Sequence, residues 1–212
     1  GENPEHAGYM KDAIPEALRA FWQERNVCGL IRQAQARGEW KGPLPGDGNY
    51  KLSSYQGHLA PSYRKLLRLG FAGMRDEIRS RQATERDPER LDFLAAALDV
   101  MDGALAWIKR YAAFLEAEAR QRAAGAEELA ALAALCHGLT ERPPRTFHEA
   151  LQAVWFAHQT VHIEGHGYSC TPDRLDQILY PYYLADRQAG RLDDGEALAL
   201  CANLVLKMRD NT

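Results

Sequence analysis

Residues 145–183 read RTFHEALQAVWFAHQTVHIEGHGYSCTPDRLDQILYPYY and indicate two helices separated by a polar loop. Thr146 and Glu149 have the spacing of a capping box, in which each side chain binds a backbone N–H group that the helix start leaves free. The apolar residues that follow recur at the helical period, which predicts a helix over 146–162. Glycine, serine and proline then predict a loop over 164–172.

The same helical periodicity extends outward through the rest of the chain. Alanine and leucine recur with glutamate and arginine between them, and runs of β-branched residues are almost absent. Pro61 and Pro88 suit the first turns of their helices, Asp193 with Glu196 repeats the capping-box spacing, and Gly190 suits a helix end. We therefore expect a mainly α chain. The further predicted helices are 14–37 with a break near residue 26, 61–82, 88–122, 126–137, 173–189 and 194–208.

Composition and charge exclude several classes of protein. The 212 residues include 26 Lys and Arg against 29 Asp and Glu, a net charge of −3, and 46% of them are hydrophobic, as in a globular domain. This charge offers no electrostatic reason to bind nucleic acid or an anionic membrane, and no apolar run approaches the roughly 18–20 residues that cross a bilayer. The four cysteines are scattered without metal-binding or redox spacing. We expect reduced thiols and a cytoplasmic protein.

Two polar segments between the helices, 38–58 and 164–172, are the first candidates for function. Long loops on a rigid helical scaffold often carry binding and catalytic residues. The first segment contains Gly46-Asp47-Gly48, but no strand precedes it and no helix follows it directly, so a phosphate-binding loop is not predicted.

A histidine cluster leads into the second polar segment, and it comprises His158, His162, Glu164 and His166. A spacing of four places His158 and His162 on one face of a helix, as in some helical zinc sites. The intervening Gln-Thr-Val, however, lacks the glutamate of the zinc-protease motif. We favour the interpretation that these histidines line or cap a buried helix end, and we assign no metal.

Arginine, aspartate and tyrosine are concentrated after the second segment, at Arg174, Asp176, Tyr180, Tyr182 and Tyr183. A buried guanidinium group or tyrosine hydroxyl requires hydrogen-bond partners. We interpret these residues as a structural polar network in the core.

The arrangement of these motifs resembles that of the glycyl radical enzymes. Residues 146–156 are similar to the TF-x-EALQ-x-x-WF helix of that family, and residues 169–183 are similar to its S-x-x-P/G-x-R-x-DQ-x-x-YPYY segment. Upstream, residues 57–73 resemble the segment GH-x-x-x-x-Y-x-x-LL-x-x-G-F/L-x-G. The family includes pyruvate formate-lyase, glycerol and propanediol dehydratases, choline trimethylamine-lyase, isethionate sulfite-lyase and arylacetate decarboxylases.

The resemblance implies a ten-stranded α/β barrel inside a shell of helices for the complete enzyme. A backbone glycyl radical generates a thiyl radical on a central cysteine, and the thiyl radical abstracts hydrogen from the substrate. The implied partners are the remainder of the enzyme, a radical S-adenosylmethionine activating enzyme, a small-molecule substrate and a second copy in a homodimer. Anaerobic cytoplasm is the implied setting.

The family's catalytic cysteine loop and radical glycine motif do not occur in the sequence. We therefore expect residues 1–212 to be a single partial domain, the N-terminal helical part of the fold, without autonomous radical chemistry. No cofactor is assigned to the chain, and the glycyl radical is expected in the parent enzyme. A fragment, a split subunit and a degenerate paralogue are all compatible with this pattern.

By resemblance, four residues match positions that line the family's substrate pocket: Tyr50, His58, Tyr168 and Ser169. His58 and Tyr50 match residues that contact substrate hydroxyls in dehydratase-like members. Tyr168 and Ser169 match a His-Ser pair in enzymes like glycerol dehydratase. In the matching pair, the histidine imidazole can protonate the leaving water near neutral pH. Tyrosine at position 168 lacks this imidazole, which argues against glycerol or propanediol as the substrate.

The resemblance thus implies part of a carbon–oxygen or carbon–nitrogen lyase that performs radical elimination or dehydration on a small polar substrate. Two alternatives stay open. One is a fragment of an arylacetate decarboxylase-like member, and the other is a non-catalytic helical interaction subunit derived from the family.

Overall fold

A computed structural model describes residues 15–25, 27–42, 60–165 and 170–209. These residues form eight helices and include no strand, which confirms the mainly α prediction. In chain order the helices are α1 (Glu16–Arg25), α2 (Val27–Ala36), α3 (Tyr63–Thr84), α4 (Pro88–Gln121), α5 (Ala126–Glu141), α6 (Phe147–Gly165), α7 (Leu175–Gln188) and α8 (Asp194–Arg209).

The chain divides into two compact units, which are residues 1–55 and residues 56–212. In the first unit, α1 packs against α2. In the second unit, the long helix α4 packs against α3 and α5. Helix α6 contacts α3, α4, α5, α7 and α8, so the second unit is assembled around it.

The core of the second unit is densest where α6 meets α3, α4 and α5. The fully buried side chains there are Tyr63, Ile108, Ala112, Cys136, Ala150, Val154 and Phe156. Phe156 of α6 packs edge-on against Trp107 and Tyr111 of α4, with ring centroids 5.1 and 5.6 Å away. Burial of a large apolar side chain contributes about 1.5–3 kcal/mol, so this face of α6 is a main source of stability.

The local signals at the helix starts are mostly confirmed. Pro88 is the first residue of α4, and the Asp87 carboxylate accepts a hydrogen bond from the Arg90 N–H at 3.1 Å. Asp193 and Glu196 form a complete capping box before α8, because each side chain accepts the other residue's N–H at 2.8 Å.

Three boundaries differ clearly from the sequence-based expectation. Helix α5 continues to Glu141, beyond its predicted end at residue 137. Pro61 precedes α3 instead of lying in its first turn, because its carbonyl accepts the Tyr63 N–H at 2.8 Å in a turn just before the helix. Helix α6 continues to Gly165, beyond the predicted end at residue 162. The polar residues after 162 therefore begin on a helix and not in a loop.

Helix α3 is kinked at Gly70, whose φ of 69° lies in the left-handed region. A Cβ atom at this position would lie 2.9 Å from the backbone nitrogen of Pro143 and 3.0 Å from the carbonyl carbon of Arg142. Glycine therefore provides both the backbone conformation and the space that let α3 pass the segment between α5 and α6.

The start of α6 is held by two buried carboxylates, Glu149 and Asp186. The Thr146 hydroxyl accepts the Glu149 N–H at 3.2 Å, as a capping box requires. The Glu149 carboxylate does not complete that box. It accepts both guanidinium N–H groups of Arg142 at 2.8 Å and the Arg145 N–H at 2.6 Å.

Asp186 reaches the same helix start from α7. Its carboxylate accepts the Phe147 N–H at 2.7 Å and two N–H groups of the Arg191 guanidinium at 2.7 and 3.0 Å. The Arg191 N–H also donates to the carbonyl oxygen of Asp186 at 2.9 Å. A side chain from α7 thus supplies a partner for a free N–H group at the start of α6.

Burial disfavours the charged form of Glu149, but the hydrogen bonds from Arg142 and the Arg145 N–H outweigh it. As a result the pKa of Glu149 lies below its ordinary value. The carboxylate stays charged at neutral pH and keeps its bidentate pairing with Arg142.

We expect Gly70→Ala to lower the free energy of unfolding by about 2 kcal/mol or more, because the alanine Cβ meets the 142–143 backbone and disfavours the positive φ. Gly103→Ala is the matched control, since Gly103 is exposed on α4 with no atom within 4 Å of a Cβ. This control is expected to raise the free energy of unfolding by about 0.5–1 kcal/mol. Urea unfolding measures both, and equal effects would contradict the close approach at Gly70.

Glu149→Gln is expected to lower the free energy of unfolding by about 3 kcal/mol, because it leaves the Arg142 guanidinium without its buried anionic partner. Asp176→Asn breaks the exposed pair of Arg174 and Asp176, whose atoms are 2.7 Å apart, and we expect little change. Chemical denaturation at low and high salt compares the two pairs. If Asp176→Asn lowered the free energy of unfolding as much as Glu149→Gln, the prediction that the buried pair stabilises more than the exposed pair would be contradicted.

Candidate functional site

The four residues predicted to line a substrate pocket lie outside the described residues: Tyr50, His58, Tyr168 and Ser169. His166 of the predicted histidine cluster lies outside them as well. The structure instead describes the framework on both sides of segment 166–169. Helix α6 precedes the segment and ends at Gly165, and the described chain resumes at Cys170.

Four polar side chains meet where α6 packs against the start of α3, and we call Cys170, Tyr63, His158 and His162 the polar line. The Tyr63 hydroxyl lies 3.0 Å from Nδ1 of His158. The Nε2 atoms of His158 and His162 lie 2.9 Å apart. At the other end of the polar line, the Cys170 thiol lies 4.0 Å from the Tyr63 hydroxyl.

Helix geometry and burial produce this arrangement. His158 and His162 are one turn apart on α6, so their rings share a face, and the ring centroids are 4.3 Å apart. Tyr63 opens α3 and is fully buried, and only 4% of His158 is exposed. His162 and Cys170 are half-buried. The interpretation that the histidines line a buried helix end agrees with these positions.

Burial also sets the protonation states of the polar line. Burial and the neighbouring His162 lower the pKa of His158 to about 4, and burial lowers the pKa of His162. Burial and the nearby Cys170 thiol raise the pKa of Tyr63 above its ordinary value. Burial raises the pKa of Cys170 as well, although the hydrogen bond to Tyr63 opposes that shift. All four groups are therefore neutral at pH 7.

The described side chains of the histidine cluster are His158 and His162. His158 and His162 contact each other through their Nε2 atoms, 2.9 Å apart. Among the residues that the structure describes, no group of three His, Cys, Asp or Glu side chains is placed to hold a metal ion.

The sequence predicted that Arg174, Asp176 and the tyrosines form a polar network in the core. This prediction is wrong for the charged pair Arg174 and Asp176. Arg174 and Asp176 do bind each other, but 63% and 64% of their side chains are exposed. Tyr180 is also 55% exposed. The charged pair lies at the N-terminal end of α7 and remains solvated, so it contributes little to the core.

The remaining two tyrosines do make structural contacts. The Tyr182 hydroxyl donates to the carbonyl oxygen of Leu67 at 3.1 Å, next to the kink of α3. The Tyr183 hydroxyl donates to the Asp194 carboxylate at 2.7 Å and connects α7 to the start of α8.

A concave surface runs along α5, α6 and α8. It is an open, mainly apolar groove of about 850 Å³, and Leu135, Trp155 and Leu204 are among its lining residues. The indole N–H of Trp155 is buried there and has no hydrogen-bond partner among the described residues. The groove shares no lining residue with the polar line.

The helical framework agrees with the family comparison. The model of the family "Pyruvate formate lyase-like" matches residues 10–212, and the chain belongs to that family. The structure of a glycyl radical enzyme from Archaeoglobus fulgidus superposes with a TM-score of 0.69 at 26% identity, covering 91% of this chain and 26% of that one.

Curated relatives point to the same family. A (2S)-3-sulfopropanediol dehydratase from Klebsiella oxytoca is 30% identical over 206 residues, which cover 92% of this chain and 25% of the relative. An isethionate sulfite-lyase from Nitratidesulfovibrio vulgaris is 35% identical over 149 residues, covering 65% of this chain and 18% of the relative. The chain therefore spans a quarter or less of the length of these relatives. The resemblance to the N-terminal helical part of a glycyl radical enzyme is confirmed.

We expect the stability of the protein to fall as the pH is lowered from about 7 to 4. The pKa of His158 is about 4 in the folded state against an ordinary value of 6.5, so the unfolded state takes up the proton first. The contribution of His158 to the free energy of unfolding is fully present above its ordinary pKa. This contribution falls by roughly 3 kcal/mol as the pH is lowered towards the pKa of the folded state.

His158→Gln is expected to flatten this pH dependence, because it removes the titrating group. His137→Gln is the matched control, since the His137 side chain is 46% exposed and contacts Glu116 on α4. Urea unfolding of the three proteins between pH 4 and pH 7 measures the difference. An unchanged slope in His158→Gln would show that His158 is not the group responsible.

Proposed function

We propose that this chain is the N-terminal part of a glycyl radical lyase that removes a leaving group from a small polar substrate by radical elimination or dehydration. The match to one family over residues 10–212 carries the proposal. Two relatives named as a dehydratase and a sulfite-lyase support an elimination reaction. Residues 1–212 would form a single partial domain that contributes a pocket wall and part of the helical shell.

The four proposed pocket residues are Tyr50, His58, Tyr168 and Ser169. Elimination from a substrate radical requires hydrogen-bond donors at the leaving group and an acceptor for the proton of the neighbouring hydroxyl. Tyrosine and serine hydroxyls serve as donors, and an imidazole nitrogen of His58 serves as the acceptor. The protein-derived glycyl radical initiates the reaction from the remainder of the protein.

The framework around segment 166–169 supports a role for that segment in binding. His162 and Cys170 flank it in the chain, and Tyr63 and His158 connect these two residues through hydrogen bonds and a close contact. Buried polar groups with satisfied partners hold a segment's two ends in a defined geometry. Such support is what a substrate-contacting loop needs.

The proposed partners follow from the proposed enzyme. They are the remainder of the protein, a radical S-adenosylmethionine activating enzyme, a small-molecule substrate and a second copy in a homodimer, in anaerobic cytoplasm. Across the described ranges, none of the helices has the length and apolar character needed to span a membrane.

Ser169→Ala in the full-length protein is expected to lower kcat by about tenfold or more, because the leaving group loses a hydrogen-bond donor. The enzyme is activated anaerobically, the glycyl radical is quantified by electron paramagnetic resonance, and hydroxysulfonates, diols and arylacetates are tested as substrates. Tyr168→Phe tests the second donor of the same segment, and Tyr180→Phe on the exposed face of α7 is its control.

Decarboxylation of an arylacetate without any elimination product would favour the decarboxylase alternative. A full-length protein that forms no radical with any activating enzyme would favour the non-catalytic subunit. Equal turnover in the wild type, Ser169→Ala and Tyr168→Phe would contradict the proposed pocket wall.

A further inference from the structure

Helix α8 is apolar on more than one side. Between residues 197 and 206 every residue except Asn203 is apolar. An amphipathic surface helix carries one apolar stripe and a polar opposite side, whereas a helix that is apolar nearly all round lies inside a protein. Among the described helices, α8 packs mainly against α6. One neighbouring helix covers only one side of α8, so part of its apolar surface is not covered by the described residues.

The covered side of α8 is the side that faces α6. Ala197, Cys201, Leu204 and Met208 recur at intervals of four and three residues, which places them on one face of the helix. Ala197 and Leu204 are buried, and Cys201 and Met208 are half-buried against the same core. This stripe accounts for the packing of α8 in the second unit.

A second apolar stripe lies beside the first, and we call Leu198, Ala202, Val205 and Leu206 the outer stripe. Leu198, Ala202 and Val205 again recur at intervals of four and three residues, and Leu206 follows Ala202 by one turn. Leu198, Val205 and Leu206 are 71%, 66% and 59% exposed, and Ala202 is exposed as well. A contiguous exposed apolar surface without a charged side chain is typical of a contact site for another protein surface.

We propose that an apolar element from the remainder of the protein packs on the outer stripe. This proposal rests on the proposed function in one respect, which is that the chain is part of a longer protein. The chain covers 25% of the dehydratase relative and 18% of the sulfite-lyase relative, so most of such a protein is available to cover α8. Helix α8 then has apolar neighbours on two sides, in agreement with its sequence.

The chemistry of the outer stripe restricts what packs there. None of its four side chains forms a hydrogen bond or an ion pair, so the occupant contributes apolar side chains. Ala202 lies one turn from Leu198 and one turn from Leu206, and its small side chain lets the occupant approach α8 closely between them. The expected occupant is therefore the apolar face of a helix or a sheet.

A second copy of the chain is the less suitable occupant. Stable protein–protein interfaces bury about 800 Å² on each partner, whereas four side chains expose on the order of a few hundred Å². A segment of the same polypeptide needs no such area, because its covalent connection gives it a high effective concentration at the outer stripe.

Thiol labelling of the full-length protein tests whether the outer stripe is covered. Leu198→Cys and Val205→Cys are labelled with a maleimide in native buffer and in concentrated urea, and peptide mass spectrometry measures the labelling rate at each position. We expect both thiols to react at least about 100-fold more slowly in the native than in the unfolded protein, because a covered thiol reacts only after local opening.

Glu89→Cys is the control, because Glu89 is exposed in the first turn of α4. Its thiol is expected to react within about threefold of its rate in the unfolded protein. Equal native labelling rates in Leu198→Cys, Val205→Cys and Glu89→Cys would overturn the proposal, because the outer stripe would then face solvent in the full-length protein. Protection that disappears on dilution would overturn it as well, since a second copy would then be the cover.

Photo-crosslinking identifies the occupant and does not depend on the cysteine variants. p-Benzoylphenylalanine is introduced at position 206 of the full-length protein, and the cross-linked peptides are identified by mass spectrometry. Cross-links to residues beyond 212 of the same molecule are the expected result. Cross-links only to residues 1–55, or only between copies that carry different nitrogen isotopes, would overturn the proposal.

These measurements use neither substrate nor radical, so they separate the docking of α8 from the proposed lyase activity. A covered outer stripe in a protein without lyase activity would support the docking and contradict the proposed reaction. An active lyase with a solvent-exposed outer stripe would support the reaction and overturn the docking.

Discussion

The bidentate contact between Arg142 and Glu149 is the interaction on which the second unit depends, because it fixes the first turn of α6. Glycine at position 70 lets the kinked helix α3 approach the Arg142–Pro143 backbone, and a Cβ at Gly138 would lie 2.8 Å from an Arg142 nitrogen. Asp186 of α7 adds a second buried carboxylate at the same helix start. Three helices and one linker thus converge where α6 begins, and α6 packs against five neighbouring helices along its length.

The polar line lies at the opposite end of the same helix. An α-helix is stiff over its length, so a start fixed by Glu149 also fixes the positions of His158 and His162 further along. Tyr63 at the beginning of α3 completes the polar line, and further along the same helix the kink at Gly70 is the point that passes the α6 anchor. The buried ion pair and the neutral polar line therefore have different roles: the first anchors the start of α6, and the second connects the C-terminal part of α6 to the beginning of α3.

Local signals predicted the helices well, since hydrophobic period, proline and capping residues act within a few positions of one another. The Asp193–Glu196 box and Pro88 at the start of α4 are examples. Features that depend on contacts with other helices were predicted less well. Glu149 has capping-box spacing but binds Arg142, and Arg174 with Asp176 remains at the surface instead of in the core. The four resemblance-based pocket residues lie outside the described residues and remain predictions.

The sequence alone determined the helical class, most helix boundaries and membership of the glycyl radical enzyme family, because these follow from local periodicity and from motifs in a fixed order. It also placed His158 and His162 on one face of a helix. Only the tertiary structure decided that the partner of His158 is Tyr63, 95 residues away. It also decided that Cys170 closes the line and that Arg142 is the partner of Glu149. Contacts of this kind arise from the packing of whole helices, and no spacing rule within one helix specifies which side chain a neighbouring helix will bring.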